Sequence, residues 1–331
     1  MSTRLPESGI VLAPLAGGPT TPELAATVTD AGGLGFLAAG YLTPEAFADQ
    51  IRQARALTAG PLGANVFCLR EEVVHEEAIA AYAAELAPEA ARFGVVLGEP
   101  RFDDDHYGAK LALLLDARVE VVSFTFGCPS TDDVARLQAA GTEVWVTVTS
   151  AAEAVDAAAS GADVLVPQGA EAGGHRGAWR DDGTDLPLLE LLADVGDACD
   201  TPLVATGGIG DTAGVLAALD AGASAVQAGT AFLLCPEAGT SEPHRAMLER
   251  PGITAVTRAF TGRRARGIVN EFMRAHPHAP SAYPHVNHMT APLRAAARAA
   301  GDAERINLWA GVRFAMARAV PAAEVVAALR P

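Results

Sequence analysis

The segment PQGAEAGGHRG, residues 167–177, sets one imidazole, His175, between Gly174 and Arg176 in a glycine-rich stretch that also carries the amide of Gln168. An unperturbed histidine titrates at about pH 6.5, so this side chain can act as a base near neutrality or, protonated, hold an anion. Loop histidines are also common bystanders. Two more stretches, TGGIGD (Thr206–Asp211) and QAGT (Gln227–Thr230), offer backbone N–H groups at glycines that can converge on a phosphate. No lysine is needed for that, and Lys110 is the only one in the chain. Asn65 and Gln168 carry amides suited to the pyrimidine edge of a flavin ring, and APLAGG supplies small residues that let backbone approach one.

For these groups to meet, the elements between them must deliver them to one end of the molecule. Short aliphatic runs alternate with segments that are apolar every third or fourth residue. Strands are expected at Ile10–Pro14, Leu34–Ala39, Leu62–Phe67, Val119–Phe126, Glu143–Thr149, Ala162–Pro167, Pro202–Thr206 and Ala225–Gly229. The segments TPELAATVTDAG, TPEAFADQIRQARAL, STDDVARLQAAG, SAAEAVDAAASG and DTAGVLAALDAG open on capping residues, and several end in Ala-Gly, so they predict helices. This rhythm predicts a (β/α)8 TIM barrel, an α/β fold whose function sits at the carboxyl ends of its strands. In that fold TGGIGD and QAGT follow strands seven and eight, the usual phosphate cradle. A doubly wound sheet is disfavoured because no GxGxxG follows the first strand.

The predicted organisation is a barrel over 1–234, a small helical lid domain over 235–305 with no clear strands, and closing helices over 306–331 from NLWAGVRFAMARAV and AAEVVAALR. EEVVHEEAIAAYAAELAPEAARFG predicts one or two extra helices. With 331 residues, half of them hydrophobic, the chain can bury a large core. A net charge of −16 argues against nucleic-acid or anionic-membrane partners. Neither a signal core nor a run long enough to span a bilayer is read, so a soluble, cytoplasmic protein is expected, with a homo-oligomer left open. The four cysteines, Cys68, Cys128, Cys199 and Cys235, lack zinc or disulfide spacing.

Other chemistry-bearing residues read more plainly. His276, His278, His285 and His288 are interrupted by prolines and lack a helical i,i+4 pair, so no metal site is expected and a polar lid surface explains them. Cys128 reads as a packed small residue. TGRRARG, with Arg263, Arg264 and Arg266, reads as a solvated face.

Taken together, VLAPLAGGPTTPELAATVTDAGGLGFLAAGYL, GANVF, VVSFTFGCPS, PQGAEAGGHRG, VATGGIGD and VQAGTAFL resemble the nitronate monooxygenase family. The resemblance runs from about Val11 to Leu234 and more faintly through YPHVNHMTAPLR and LWAG. It implies an FMN-dependent oxidoreductase that uses O2 to convert alkyl nitronates, such as propionate 3-nitronate, to a carbonyl compound and nitrite without NAD(P)H. Carried over by residue, FMN would contact Ala13, Pro14, Leu15, Asn65, Gln168, Gly173, Gly174, Gly207, Gly208, Gln227, Ala228, Gly229 and Thr230, and His175 would be catalytic, binding or deprotonating substrate. Tyr107 would contribute from the lid side. Thr125 stands where some relatives have histidine, and Val312 where a polar residue is common after WAG; both departures bear on substrate choice. The alternatives are an FMN-dependent NAD(P)H:quinone or enoyl-thioester reductase, for which Arg258, Arg263, Arg264 and Arg266 would receive coenzyme phosphates, and a non-catalytic flavin binder.

Overall fold

A computed structural model describes residues 3–181, 183 and 185–331. Its strands are β1 (Ile10–Leu12), β2 (Gly35–Ala38), β3 (Leu62–Phe67), β4 (Val121–Thr125), β5 (Glu143–Val148), β6 (Val164–Pro167), β7 (Gly174–His175), β8 (Val204–Thr206), β9 (Ala225–Ala228), β10 (Thr254–Thr257) and β11 (Ala265–Ile268). Parallel ladders join β2 through β6 in sequence and β8 to β9 to β1. Parallel bridges Val11–Leu34 and Leu165–Leu203 connect the two sets, so eight strands close into the expected (β/α)8 barrel.

Each of the five capped segments forms a helix. The side chains of Thr21, Thr43, Ser130, Ser150 and Asp211 accept a hydrogen bond from a first-turn N–H, satisfying donors that the helix itself cannot. Helix and strand faces share a continuous apolar layer that includes Phe47, Phe124, Leu165 and Phe232. Inside the barrel, Phe36 and Trp145 meet at 5.5 Å among Val11, Val121, Val164 and Val204. The indole N–H of Trp145 donates to Glu143 Oε1 at 2.7 Å. These rings come from the amino-terminal halves of β2 and β5 and fill that end, which leaves the carboxyl end for a ligand.

Beyond residue 234 the structure differs from the sequence expectation. Strands β10 and β11 pair antiparallel, and β11 pairs with β7, so the segment carries a small three-stranded sheet as well as helices Glu242–Leu248, Glu271–Ala275 and His285–Ala299. Strands this short show too few alternations to register as a period. NLWAGVRFAMARAV is not a helix. It bridges Gly267 through Trp309 and makes a 3-10 turn over Phe314–Met316, and only Ala322–Leu329 closes as a helix. The apolar cluster under the added sheet draws Ile79, Tyr82 and Leu86 from helix Glu76–Arg92 onto Phe260, Phe272 and Val286. Among the described residues, no helix is long and apolar enough to cross a membrane.

The sole lysine has a structural setting. Lys110 is fully buried, and its Nζ donates to Asp105 Oδ2 at 2.7 Å and to the Ala39 carbonyl at 2.9 Å. Asp105 Oδ1 in turn accepts from the backbone N–H of Tyr41 at 2.9 Å, holding Tyr41 at a φ of 69°. Burial pushes the Asp105 carboxyl up and the Lys110 ammonium down from their ordinary values, and the ion pair opposes both. Lys110→Met leaves a buried carboxylate without its cation and is expected to cost about 3–5 kcal/mol of unfolding free energy. Urea denaturation of the two proteins measures this, and a difference below about 1 kcal/mol would contradict the assignment.

Candidate active site

The carboxyl ends of the barrel strands open on a cavity of about 720 Å³. Its walls include every position expected to contact FMN, and His175: Ala13, Pro14 and Leu15 after β1, Asn65 in β3, Gln168, Gly173, Gly174 and His175 after β6, Gly207 and Gly208 after β8, and Gln227, Ala228, Gly229 and Thr230 at the end of β9. The backbone N–H groups of Gly207, Gly208, Gly229 and Thr230 bond to no other described residue, so they are free to serve an anion at the end of β8 and β9. Thr206 Oγ1 donates to the Gln227 carbonyl at 2.8 Å and ties these two loops together. A Cβ on Gly208, whose φ is 70°, would fall 2.7 Å from Glu171 Cβ, so this turn requires glycine.

Two expected contacts have a different setting from the one anticipated. Gln168 spends its amide on the loop it belongs to: Oε1 accepts from Gly177 N–H at 2.8 Å and Nε2 donates to the His175 carbonyl at 3.2 Å. Gly173 is bare because a Cβ there would lie 2.4 Å from the backbone nitrogen of Gly311, so the missing side chain admits the C-terminal segment. Asn65 Nδ2 donates to Ser123 Oγ at 2.9 Å and Thr125 Oγ1 at 3.0 Å, and Thr125 Oγ1 lies 3.3 Å from Thr147 Oγ1. Thr125 therefore belongs to a polar floor. Val312 does not line the cavity and is 45% exposed. Tyr107 does not line it either; its hydroxyl donates to Asp133 Oδ2 at 3.2 Å outside the mouth.

His175 does not hang on a flexible loop. As part of β7 it pairs with Ala265 of β11, and the Arg176 N–H donates to the Arg264 carbonyl at 2.9 Å. Its ring packs against Phe126, Tyr283 and Trp309 with centroids 5.9, 5.6 and 5.5 Å away. Nε2 lies 2.9 Å from Thr261 Oγ1, and Nδ1 makes no hydrogen bond to a described residue. Burial, with further lowering by Arg263 and Arg294, drops the imidazole to about 3. It is therefore neutral at physiological pH, which favours a neutral over a protonated role.

The arginines around it are buried or half-buried and engaged by protein groups, contrary to the solvated face expected of TGRRARG. Arg176 is buried, with Nε on Asp185 Oδ1 at 2.9 Å and its other nitrogens on the Gly169 and Gln168 carbonyls at 2.7 and 2.9 Å. Arg258 pairs with Asp181 at 2.8 Å, Arg264 with Asp185, and Arg266 with the Ala170 carbonyl at 3.0 Å. Arg294 lines the cavity from helix His285–Ala299, with its guanidinium on Asn287 Oδ1 at 2.7 Å.

Among the described residues no group of three or more His, Cys, Asp or Glu could hold a metal ion. His276 does not sit on a polar lid surface; it is buried against Tyr82 and Phe272 and bonds Glu85. Tyr41, Phe126, Thr261, Tyr283, Arg294 and Trp309 were not anticipated by sequence reasoning. Tyr41 and Trp309 lie in AAGYLT and LWAG, stretches whose aromatic residues facing small ones were the available signal.

A neutral His175 has a direct signature. Its ring resonances are expected to stay at neutral-imidazole values from pH 8 down to pH 5 in NMR titration, whereas a midpoint near 6.5 would contradict the burial argument. An unfolded histidine binds its proton at about pH 6.5 and the folded one only at about 3. Protons therefore favour the unfolded chain in that interval, and this group withdraws stability as pH falls through it.

Comparison with known proteins agrees with this architecture. The sequence model of nitronate monooxygenases matches residues 3–331. The nitronate monooxygenase of Pseudomonas aeruginosa is 41% identical over 340 residues, covering 97% of this chain and 94% of the relative. That of Paraburkholderia phytofirmans is 40% identical over 337 residues, covering 97% and 90%. A solved structure of nitroalkane oxidase from Streptomyces ansochromogenes shares 50% identity with a TM-score of 0.95, covering 98% of this chain and 95% of its own. FabK from Thermotoga maritima shares the fold, with a TM-score of 0.75 at 23% identity and coverage of 99% and 95%. With the family matched from end to end of the described chain, this protein belongs to the nitronate monooxygenase family, and it is an oxidoreductase.

Proposed function

We propose that the chain holds FMN across the barrel mouth and oxidises alkyl nitronates with O2 to a carbonyl compound and nitrite, without NAD(P)H. The observation that carries this reading is the neutral His175 with a free Nδ1, set in an aromatic box beside the unpartnered N–H cradle of Gly207, Gly208, Gly229 and Thr230. The cavity, about 720 Å³, is of the size that holds a cofactor with substrate. The glycine N–H groups suit the phosphate of FMN. Residues Ala13–Leu15, Asn65, Gln168, Gly173, Gly174, Gln227 and Ala228 would surround its ring. Bound there, FMN would supply the redox chemistry that no side chain offers, as the acceptor for the electrons of a carbanionic nitronate.

The side chains supply orientation and charge. The Arg263 N–H lies 3.4 Å from Thr261 Oγ1, and the Thr261 hydroxyl lies 2.9 Å from His175 Nε2. The Thr261 hydroxyl can donate either to the Arg263 carbonyl at 3.3 Å or to His175 Nε2; donated along the shorter contact to Nε2, it would leave the proton of His175 on Nδ1, where it can donate to a nitronate oxygen. The opposite tautomer would turn a lone pair toward the anion and repel it. An imidazole this hard to protonate is a poor base, so the reading favours a substrate that arrives already as the anion. Arg294 remains cationic at neutral pH although burial lowers it to about 10, and it adds attraction for that anion. Residues 235–305 would serve as the lid that shields this corner from water. The reductase reading draws little support from its four arginines: the guanidiniums of Arg258, Arg264 and Arg266 are already engaged by protein groups, and Arg263, bonded to the Arg176 and Ala178 carbonyls, does not line the cavity.

Two measurements test the reading. The FMN-loaded protein is expected to release nitrite from propionate 3-nitronate in air without NADH, and His175→Asn to lower kcat roughly a hundredfold, as loss of one directed donor does. Nitrite release from none of several nitronates would defeat the assignment. Thr261→Val, which removes the partner of Nε2, is expected to cost about tenfold in kcat/KM at unchanged flavin content, the size of one lost hydrogen bond. An unchanged kcat/KM would contradict the donor chain.

A further inference from the structure

One buried cation in the molecule has a setting that folding alone does not call for. Arg263 is 5% exposed, yet no ion pair among the described residues includes it. The carboxylate of Asp181 in the same corner is committed to Arg258 Nε at 2.8 Å and Ser281 Oγ at 3.1 Å. What Arg263 does contact is neutral: Nε donates to the Arg176 carbonyl at 3.2 Å, and a terminal nitrogen donates to the Ala178 carbonyl. Its guanidinium carbon stands 4.3 Å from the centroid of Phe126 and 6.0 Å from that of Tyr283. Arg176, buried beside it, has its counter-ion in Asp185 at 2.9 Å.

A buried guanidinium without a salt bridge to a described carboxylate is costly, and the longer-range attraction of Asp181 together with the cation–π contact offsets only part of that cost. The ring and carbonyl contacts of Arg263 adjoin the site. Phe126 lines the cavity, stands perpendicular to the His175 ring, and holds a φ of 74°, a region that a bulky residue rarely adopts. The Arg176 and Ala178 carbonyls belong to the segment that directly follows His175, and the Arg263 backbone closes on Thr261, the partner of Nε2. Arg263 itself does not line the cavity.

We propose that Arg263 is a positioning and selectivity residue: its charge, which forms no salt bridge among the described residues, acts past the Phe126 ring and makes the His175 side of the cavity favour an anionic nitronate over the neutral nitroalkane. Its planar fork also fixes Phe126 and the segment after His175. This rests on the nitronate reading above. The guanidinium takes no part in bond making, so its influence falls on binding and orientation.

Arg263→Met and Arg263→Lys in the FMN-loaded protein test it, with flavin content and melting curves reporting folding. The readouts are KM for a nitronate, the inhibition constant of its parent nitroalkane, and the NMR titration of His175. In Arg263→Met the preference for nitronate over nitroalkane is expected to fall at least tenfold, mainly through KM, and the His175 midpoint to move up. Arg263→Lys keeps the charge and is expected to keep the preference while losing kcat, because an ammonium cannot cover the ring and bond both carbonyls together. A Met variant that weakens both ligands in equal proportion and leaves the His175 titration where it was would overturn the proposal. Should the Met variant fail to fold, loss of preference in a folded Lys variant would overturn it equally. A wild-type enzyme that oxidises no nitronate would sink the underlying reading instead, and the His175 titration in Arg263→Met would still decide the role of Arg263.

Discussion

His175 is kept uncharged by its surroundings, and the architecture around the barrel mouth is arranged to maintain that state. Three aromatic rings lie against the imidazole and two guanidiniums oppose its protonation, so the only polar partner it needs is the Thr261 hydroxyl. Such an environment cannot be built by the barrel alone. The ring sits on β7, which is too short to be a stable strand by itself, and the pairing of Ala265 with His175 fastens it to a sheet contributed from beyond the barrel. The same pairing brings Thr261 and Arg263 into place. The geometry around His175 and the attachment of the added sheet are thus one set of contacts.

Charge is distributed to suit this arrangement. The chain carries a net charge of −16, yet the cavity is lined by Arg294, and Arg263 stands behind its aromatic wall. Other buried cations are neutralised locally, Lys110 by Asp105 and Arg176 by Asp185. Those pairs serve the scaffold: the first holds Tyr41 at the rim, where its hydroxyl lies 3.2 Å from that of Tyr283, and the second shapes the loop after β6. An acidic exterior with local positive potential inside admits a small anion to one place and offers it little elsewhere.

Much of this was legible in the sequence. All eight barrel strands lie within the apolar runs assigned to them, because buried parallel strands are continuous Val- and Leu-rich segments between capped helices. The residues expected at the mouth meet there because barrel topology alone sends every strand's carboxyl end to one face. What stayed hidden depends on contacts distant in the chain. Strands β7, β10 and β11 are too short to show a period, and TGRRARG reads as solvated unless the ring of Phe126 and the carbonyls of Arg176 and Ala178 are known to cover Arg263. Gly173 shows the same limit. Its need for a bare backbone is plain in sequence, but the surface that demands it is Gly311 rather than a ligand.

The central claim, that a nitronate anion gives its electrons directly to FMN held at this mouth, is tested most directly by the visible spectrum of the FMN-loaded protein without oxygen. Anaerobic nitronate is expected to bleach the flavin bands within the time of a turnover, and NADH added separately to leave them essentially unchanged. Rapid bleaching by NADH with no response to nitronate would contradict the account and assign the cavity to a reductase.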